Sequence, residues 1–202
     1  MERRIVLPGD KVAEGQVNIP YTYYDPDSNA RYATLVGLVD ETGRYIPIEK
    51  SYSPTVGDFV VGIITDVRHA GYNVTLGIPA EGFISSKFLR VNLQLGDVVM
   101  GRVKAVERGS IELGEIRRLP PGKIVEFPSA KIPRLIGKNM SMLELLKQHG
   151  KGDIVIGSNG YVWISENADI PKVIRAMELI SERAHKTGLT EMIVEFFEKE
   201  KR

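Results

Sequence analysis

The sequence predicts a multidomain fold, mainly β with an α+β C-terminal portion, on three observations. Short β-branched and aromatic runs alternate with Gly, Pro, Asp and Asn turn chemistry from the N-terminus to about Arg118. A Gly-Asp-x-Val-x-Gly pattern recurs at Gly57 and Gly96 and opens two strands in the same way. Helical periodicity is confined to the stretch beyond them. The expected divisions are 1–55, 56–118 and 119–202.

In the first stretch the breaks fall at Pro8-Gly9, Gly15, Pro20, the run Asp25 to Asn29, Gly37, Gly43, Pro47 and Pro54. Between them lie runs such as Tyr32 to Val36 and Arg44 to Ile48, so this part reads as a small β domain without helix. The second stretch carries five strand signals. They begin at Gly57, at Tyr72 after the Ala70-Gly71 turn, at Glu81, at Gly96, and at Ser110 after Arg108-Gly109. Five strands in this length suit a small Greek-key barrel of the OB type, and glycines inside its strands permit the coiling that closure demands.

In the third stretch Ser141 and Glu144 have capping-box spacing, and Gly150 supplies a stop. Gly157-Ser158-Asn159-Gly160 joins two apolar runs as an Asn-Gly hairpin signal, with positive dihedrals expected at Asn159 and Gly160. Asp169 caps a long helix with Pro171 in its first turn, Gly188 ends it, and Thr190 caps a last helix. The resulting order is strand, helix, helix, hairpin, helix.

Composition limits the function. The 202 residues are 43% hydrophobic and 26% charged, enough to build packed cores rather than a disordered chain. Absence of cysteine removes disulfides, thiol nucleophiles and thiolate metal sites, and fits a cytoplasmic protein. Only three apolar residues separate Arg4 from Pro8, too few for a signal peptide, and no window is apolar enough for a membrane helix. Net charge is only +1, but eight basic residues against two acidic ones lie between Arg117 and Lys151. That local excess can steer a polyanion, or it can be a solvated face.

No catalytic constellation is visible. His69, His149 and His185 fall in separate segments, and no metal-binding pair, Walker pattern or dinucleotide glycine pattern occurs. The expectation is no catalytic residue, no metal and no cofactor.

The middle stretch resembles the RNA-binding barrel first described in ribosomal protein S-one. The resemblance rests on Gly57-Asp58-x-Val60-x-Gly62, Gly71-Tyr72, Glu81-Gly82-Phe83-Ile84 and Gly96-Asp97-x-Val99. Such barrels hold single strands on exposed aromatics ringed by cations. The candidates here are Tyr72 for stacking, with Arg68, His69, Lys87, Arg90, Arg102, Lys104 and Arg108 around it. Phe83 is read as core.

The third stretch resembles a KH domain, in which a Gly-x-x-Gly loop clamps the RNA backbone. Arg134, Gly137, Lys138 and Asn139 occupy the loop position, and Met140 replaces the second glycine. Gly157, Ser158, Asn159 and Gly160 are read either as a plain turn or as a contact loop for RNA or a neighbouring subunit.

Taken whole, with Ile5 to Asp10, the Tyr52 to Asp58 junction and the Gly157-x-Asn159-Gly160 turn, the chain resembles the archaeal exosome cap-subunit family. That resemblance implies a non-catalytic RNA-binding component. It implies three copies, some mixed with another cap subunit, on a hexameric ring of ribonuclease PH-like subunits. The first β domain, with Tyr21, Tyr23 and Tyr24, would dock on the ring, and single-stranded, A-rich RNA would pass inward. A translation or transcription factor built from the same modules, and a nuclease in its own right, stand as alternatives.

Overall fold

A computed structural model describes residues 4–17, 19, 21–40, 42–47, 52–89, 91–107, 109–184 and 188–199. The chain divides into two compact units, residues 1–51 and 52–202.

The first unit holds six short strands: β1 Arg4–Val6, β2 Lys11–Glu14, β3 Thr22–Asp25, β4 Ala30–Ala33, β5 Gly37–Val39 and β6 Tyr45–Pro47. They form two antiparallel sheets of three, ordered β1-β5-β6 and β2-β4-β3. Val6, Val12, Ala33, Val39 and Tyr45 fill the small core. Aspartates build its turns. The Asp40 side chain accepts from Thr42 Oγ1 at 2.6 Å, Arg44 N at 3.0 Å and Thr42 N at 2.9 Å, and Asp25 accepts from Ser28 Oγ at 2.6 Å. These hydrogen bonds hold both carboxyls below the usual carboxylate range.

The second unit opens with the barrel. Its strands are β7 Phe59–Arg68, β8 Gly71–Thr75, β9 Glu81–Ser85, β10 Val98–Glu107 and β11 Ser110–Arg118. They close in the order β10-β11-β9-β8-β7, antiparallel except for β9 beside β11. The repeated Gly-Asp pattern is structural and reciprocal. Gly57 N donates to Val103 O on β10, and Gly96 N donates to Ile64 O on β7, each seven residues into the other's segment. In each turn the aspartate side chain caps the backbone three residues earlier, Asp58 at Thr55 N and Asp97 at Gln94 N. Gly62 and Gly101 lie where strands pinch: a Cβ would come within 2.9 Å of Leu76 Cδ2 in the first case and 2.7 Å of Ile116 Cδ1 in the second.

The α+β part follows with β12 Gly122–Glu126, α1 Ile132–Ile136, α2 Ser141–Gly150, β13 Ile154–Ile156, β14 Tyr161–Ser165, α3 Ile170–Arg183 and α4 Leu189–Lys199. The sheet order is β12-β14-β13, all antiparallel. Val162 and Ile164 face the helices, where Leu135, Leu146, Val173, Met177, Ile180 and Phe197 complete the core. Asp169 caps α3 through Lys172 N, as expected.

Four local expectations need correction. Ser141 does not cap α2. It already has helical dihedrals, and the residue before it is Met140 at φ 63°, with no side-chain cap. Gly150 is the last helical residue of α2, and Lys151 takes the left-handed turn at φ 54°. Gly150 is needed because a Cβ there would meet Val173 Cγ2 on α3 at 2.5 Å. Thr190 lies inside α4 rather than before it. In the hairpin only Gly160 has positive φ, at 91°, because the loop spans four residues, with Gly160 N bonded to Gly157 O.

Candidate nucleic-acid interface

The outer wall of the barrel follows from strand alternation. On β9, Gly82 and Ile84 point inward, so Glu81, Phe83 and Ser85 point outward. On β8, Tyr72 shares the phase of Val74 and is buried, 8% exposed, within the barrel core. Tyr72 therefore offers no free face for stacking, which corrects the sequence expectation. Phe83 is the half-buried aromatic of this wall, paired with Asn73 across the strands and packed over Gly71. The alternation was legible: an outward Glu81 forces Phe83 outward.

Charge is distributed unevenly on that wall. Its central row runs Asp66, Asn73, Phe83, Glu112, and Asn73 Nδ2 donates to Glu81 Oε2 at 3.4 Å. The cations lie toward the end of β9. Arg68 Nε bonds Asp66 Oδ2 at 2.7 Å, which keeps the Asp66 carboxyl below the usual carboxylate range. The hairpin tip at His69 is tied to the turn carrying Lys87. Ser86 Oγ donates to His69 O, and Ser86 N donates to Ala70 O. Lys104 extends across Gly114, whose missing side chain leaves room for the lysine stem. With Ser85, Leu89, Val91 and Glu112, Lys104 lines a cleft of about 300 Å³. Register thus places Arg68, His69, Lys87, Ser85 and Lys104 along one pole of the barrel.

Arg102 does not itself line that cleft, although its partner Glu115 does. It faces β7, where its guanidinium lies 4.4 Å over the Phe59 ring and its Nε is 3.2 Å from Glu115 Oε2. Arg90 and Arg108 lie outside the described residues.

In the α+β part, the loop between α1 and α2 brings Arg134, Gly137, Lys138 and Asn139 together. Gly137 has φ 75° and ψ 171°, a conformation open essentially to glycine alone. Asn139 and Met140 both adopt left-handed dihedrals, at φ 53° and 63°, and Met140 is 58% exposed. Arg134, Gly137 and Lys138 line a cleft of about 390 Å³ whose far wall is the start of α4 at Leu189 and Thr190.

Gly157, Ser158, Asn159 and Gly160 do not join this loop. They weld the α+β part to the barrel, which corrects their reading as an RNA contact loop. Asn159 is 8% exposed, and its amide is fully used. Nδ2 donates to Val61 O and Leu76 O, both at 2.8 Å, and Oδ1 accepts from Val61 N at 3.1 Å. Ser158 N donates to Phe59 O at 2.8 Å. Beside this turn Val61, Leu119 and Trp163 form a separate apolar cluster. A four-residue turn between two strands carries no sign of what it packs against.

In the first unit, Tyr21 packs against the core and Tyr24 Oη donates to Asn29 Oδ1. Tyr23 lies open, stacked on Tyr32 at 5.4 Å between centroids. Among the described residues no group of three or more histidines and carboxylates is placed to hold a metal ion.

Comparison with known proteins agrees with the fold. The family model described as exosome RNA binding protein RRP4 N-terminal domain matches residues 3–49, and a KH domain model matches residues 122–169. The exosome complex component Rrp4 of Pyrococcus furiosus is 34% identical over 95% of this chain and 81% of its own length. That of Sulfurisphaera tokodaii is 32% identical over 96% of this chain and 88% of its own. A crystal structure described as that of an exosome complex RNA-binding protein is 31% identical and superposes with a TM-score of 0.65. It covers 76% of this chain and 98% of that one.

Proposed function

Because this chain belongs to the Rrp4 family of exosome components, we propose that it is a non-catalytic cap that holds single-stranded RNA for a 3′–5′ exoribonuclease ring. The observation that carries this reading is the barrel pole. Lys87, Lys104 and His69 border a wall whose outward aromatic is Phe83, next to a cleft sized for one nucleotide unit. Phosphates would follow the cationic pole, while a base would lie on Phe83, in the neighbouring row. Arg134 and Lys138 at the α1–α2 loop supply a second cationic point, and exposed Met140 limits how closely a phosphate can approach the backbone there.

The first unit, with its open Tyr23–Tyr32 stack, is the part we assign to docking on the ring, in three copies per complex. No described helix is long and apolar enough to cross a membrane. We place the protein in the cytoplasm, where its substrate would be.

The test uses the full chain with end-labelled oligoadenylate, phosphate and Mg²⁺. Salt-sensitive binding without shortening is expected, as is co-purification with ribonuclease PH-like subunits. Digestion by the pure protein, or recovery with ribosomes or RNA polymerase instead, overturns the reading.

A further inference from the structure

A second aromatic surface lies on the β7–β10 pair, away from Phe83. The Phe59 ring is 38% exposed, and the Arg102 guanidinium lies 4.4 Å above it, opposite in the strand register. The Arg102 side chain is itself 41% exposed, so the pair is partly open to solvent. On the other side Glu115 Oε2 lies 3.2 Å from Arg102 Nε, an ion-pair contact without a hydrogen bond to that buried nitrogen.

Glu115 holds that position from a left-handed backbone, φ 51°, in the irregular stretch where β11 slips register between Met100 and Arg102. Glycine usually fills such a place at no cost. An exposed ion pair returns little stability, no more than a left-handed side-chain-bearing residue costs. The Glu115–Arg102 ion pair therefore adds little net stability of its own. Backbone strain held in place by its surroundings, beneath an accessible planar stack, is the pattern of a preorganised binding group.

We infer that the Phe59–Arg102 stack is a second base-binding site, taking one unpaired RNA base against the guanidinium plane. A guanidinium already neutralised by a carboxylate gives no net field for phosphate, but its face remains a stacking surface. Ser158 N bonds Phe59 O, so this base would sit at the seam between the barrel and the KH domain. It would extend the strand from the barrel pole toward the second module. The inference rests on the RNA-binding reading above.

The test is fluorescence anisotropy of the full chain with labelled short oligoadenylate across a salt series. Phe59→Leu keeps apolar cover, and Arg102→Lys keeps the charge beside Glu115 while removing the plane. Each is expected to weaken binding about fivefold or more, the scale of losing one stacked base. The slope of affinity against salt should not change, because no phosphate contact is lost. Melting temperatures check that both variants fold. A short 4-thiouridine oligonucleotide should also photo-crosslink to the wild-type peptide containing Phe59. Unchanged affinity in folded variants overturns this site while leaving the proposed function intact, and so does a loss confined to ring co-purification, which would mark a protein contact. Wild-type protein that binds no RNA overturns both.

Discussion

Asn159 shows how one side chain can join two modules. Its carboxamide offers two donors and an acceptor, and all of them end on barrel backbone at Val61 and Leu76. An alanine would leave three buried backbone groups without partners, each costing about 1–3 kcal/mol when partial rescue by water is allowed for. Asn159→Ala should therefore destabilise the 52–202 unit by about 3 kcal/mol or more, read as a lower denaturation midpoint. Asn159→Asp should cost more, because it would set a carboxylate oxygen against two carbonyls. If Asn159→Ala left the midpoint unchanged, the turn would not be what holds the barrel and the KH domain together. From sequence, Asn159 reads as turn chemistry, since nothing local reveals a partner 98 residues away.

The α1–α2 loop and the barrel strands differ in how far the sequence reveals them. The loop position was legible, but its backbone was not: Gly137 takes a glycine-only conformation, and Met140 carries the left-handed turn that a second glycine would carry freely. Gly137→Ala is expected to cost about 1–3 kcal/mol, since its Cβ would also come within 2.7 Å of Met142 N. Thermal melting checks it, and an unshifted melting temperature would show that the loop tolerates another geometry. On the barrel, strand number, the paired Gly-Asp turns and the pinching glycines could all be read, because each has a local physical cause. The facing of Tyr72 could have been read as well, from the shared phase with Val74 and Leu76. Arg102 could not, because its partners Phe59 and Glu115 meet it only through strand register.

Across the molecule, the same β-strand surfaces serve cohesion and the binding proposed above. β7 gives its buried face to the barrel core, its Val61 backbone to Asn159, and its exposed Phe59 to Arg102. Cations gather at one pole while carboxylates hold the centre of the wall, so a protein of net charge +1 can still direct a polyanion along one edge. The most direct measurement is the salt dependence of oligoadenylate binding for the wild type and for the Lys87→Ala, Lys104→Ala double variant. If these lysines contact phosphates, the slope of log affinity against log salt should fall by about 1.4, about 0.7 for each contact with a single strand. A folded double variant that binds with unchanged affinity and slope would mean that the RNA does not run along this pole.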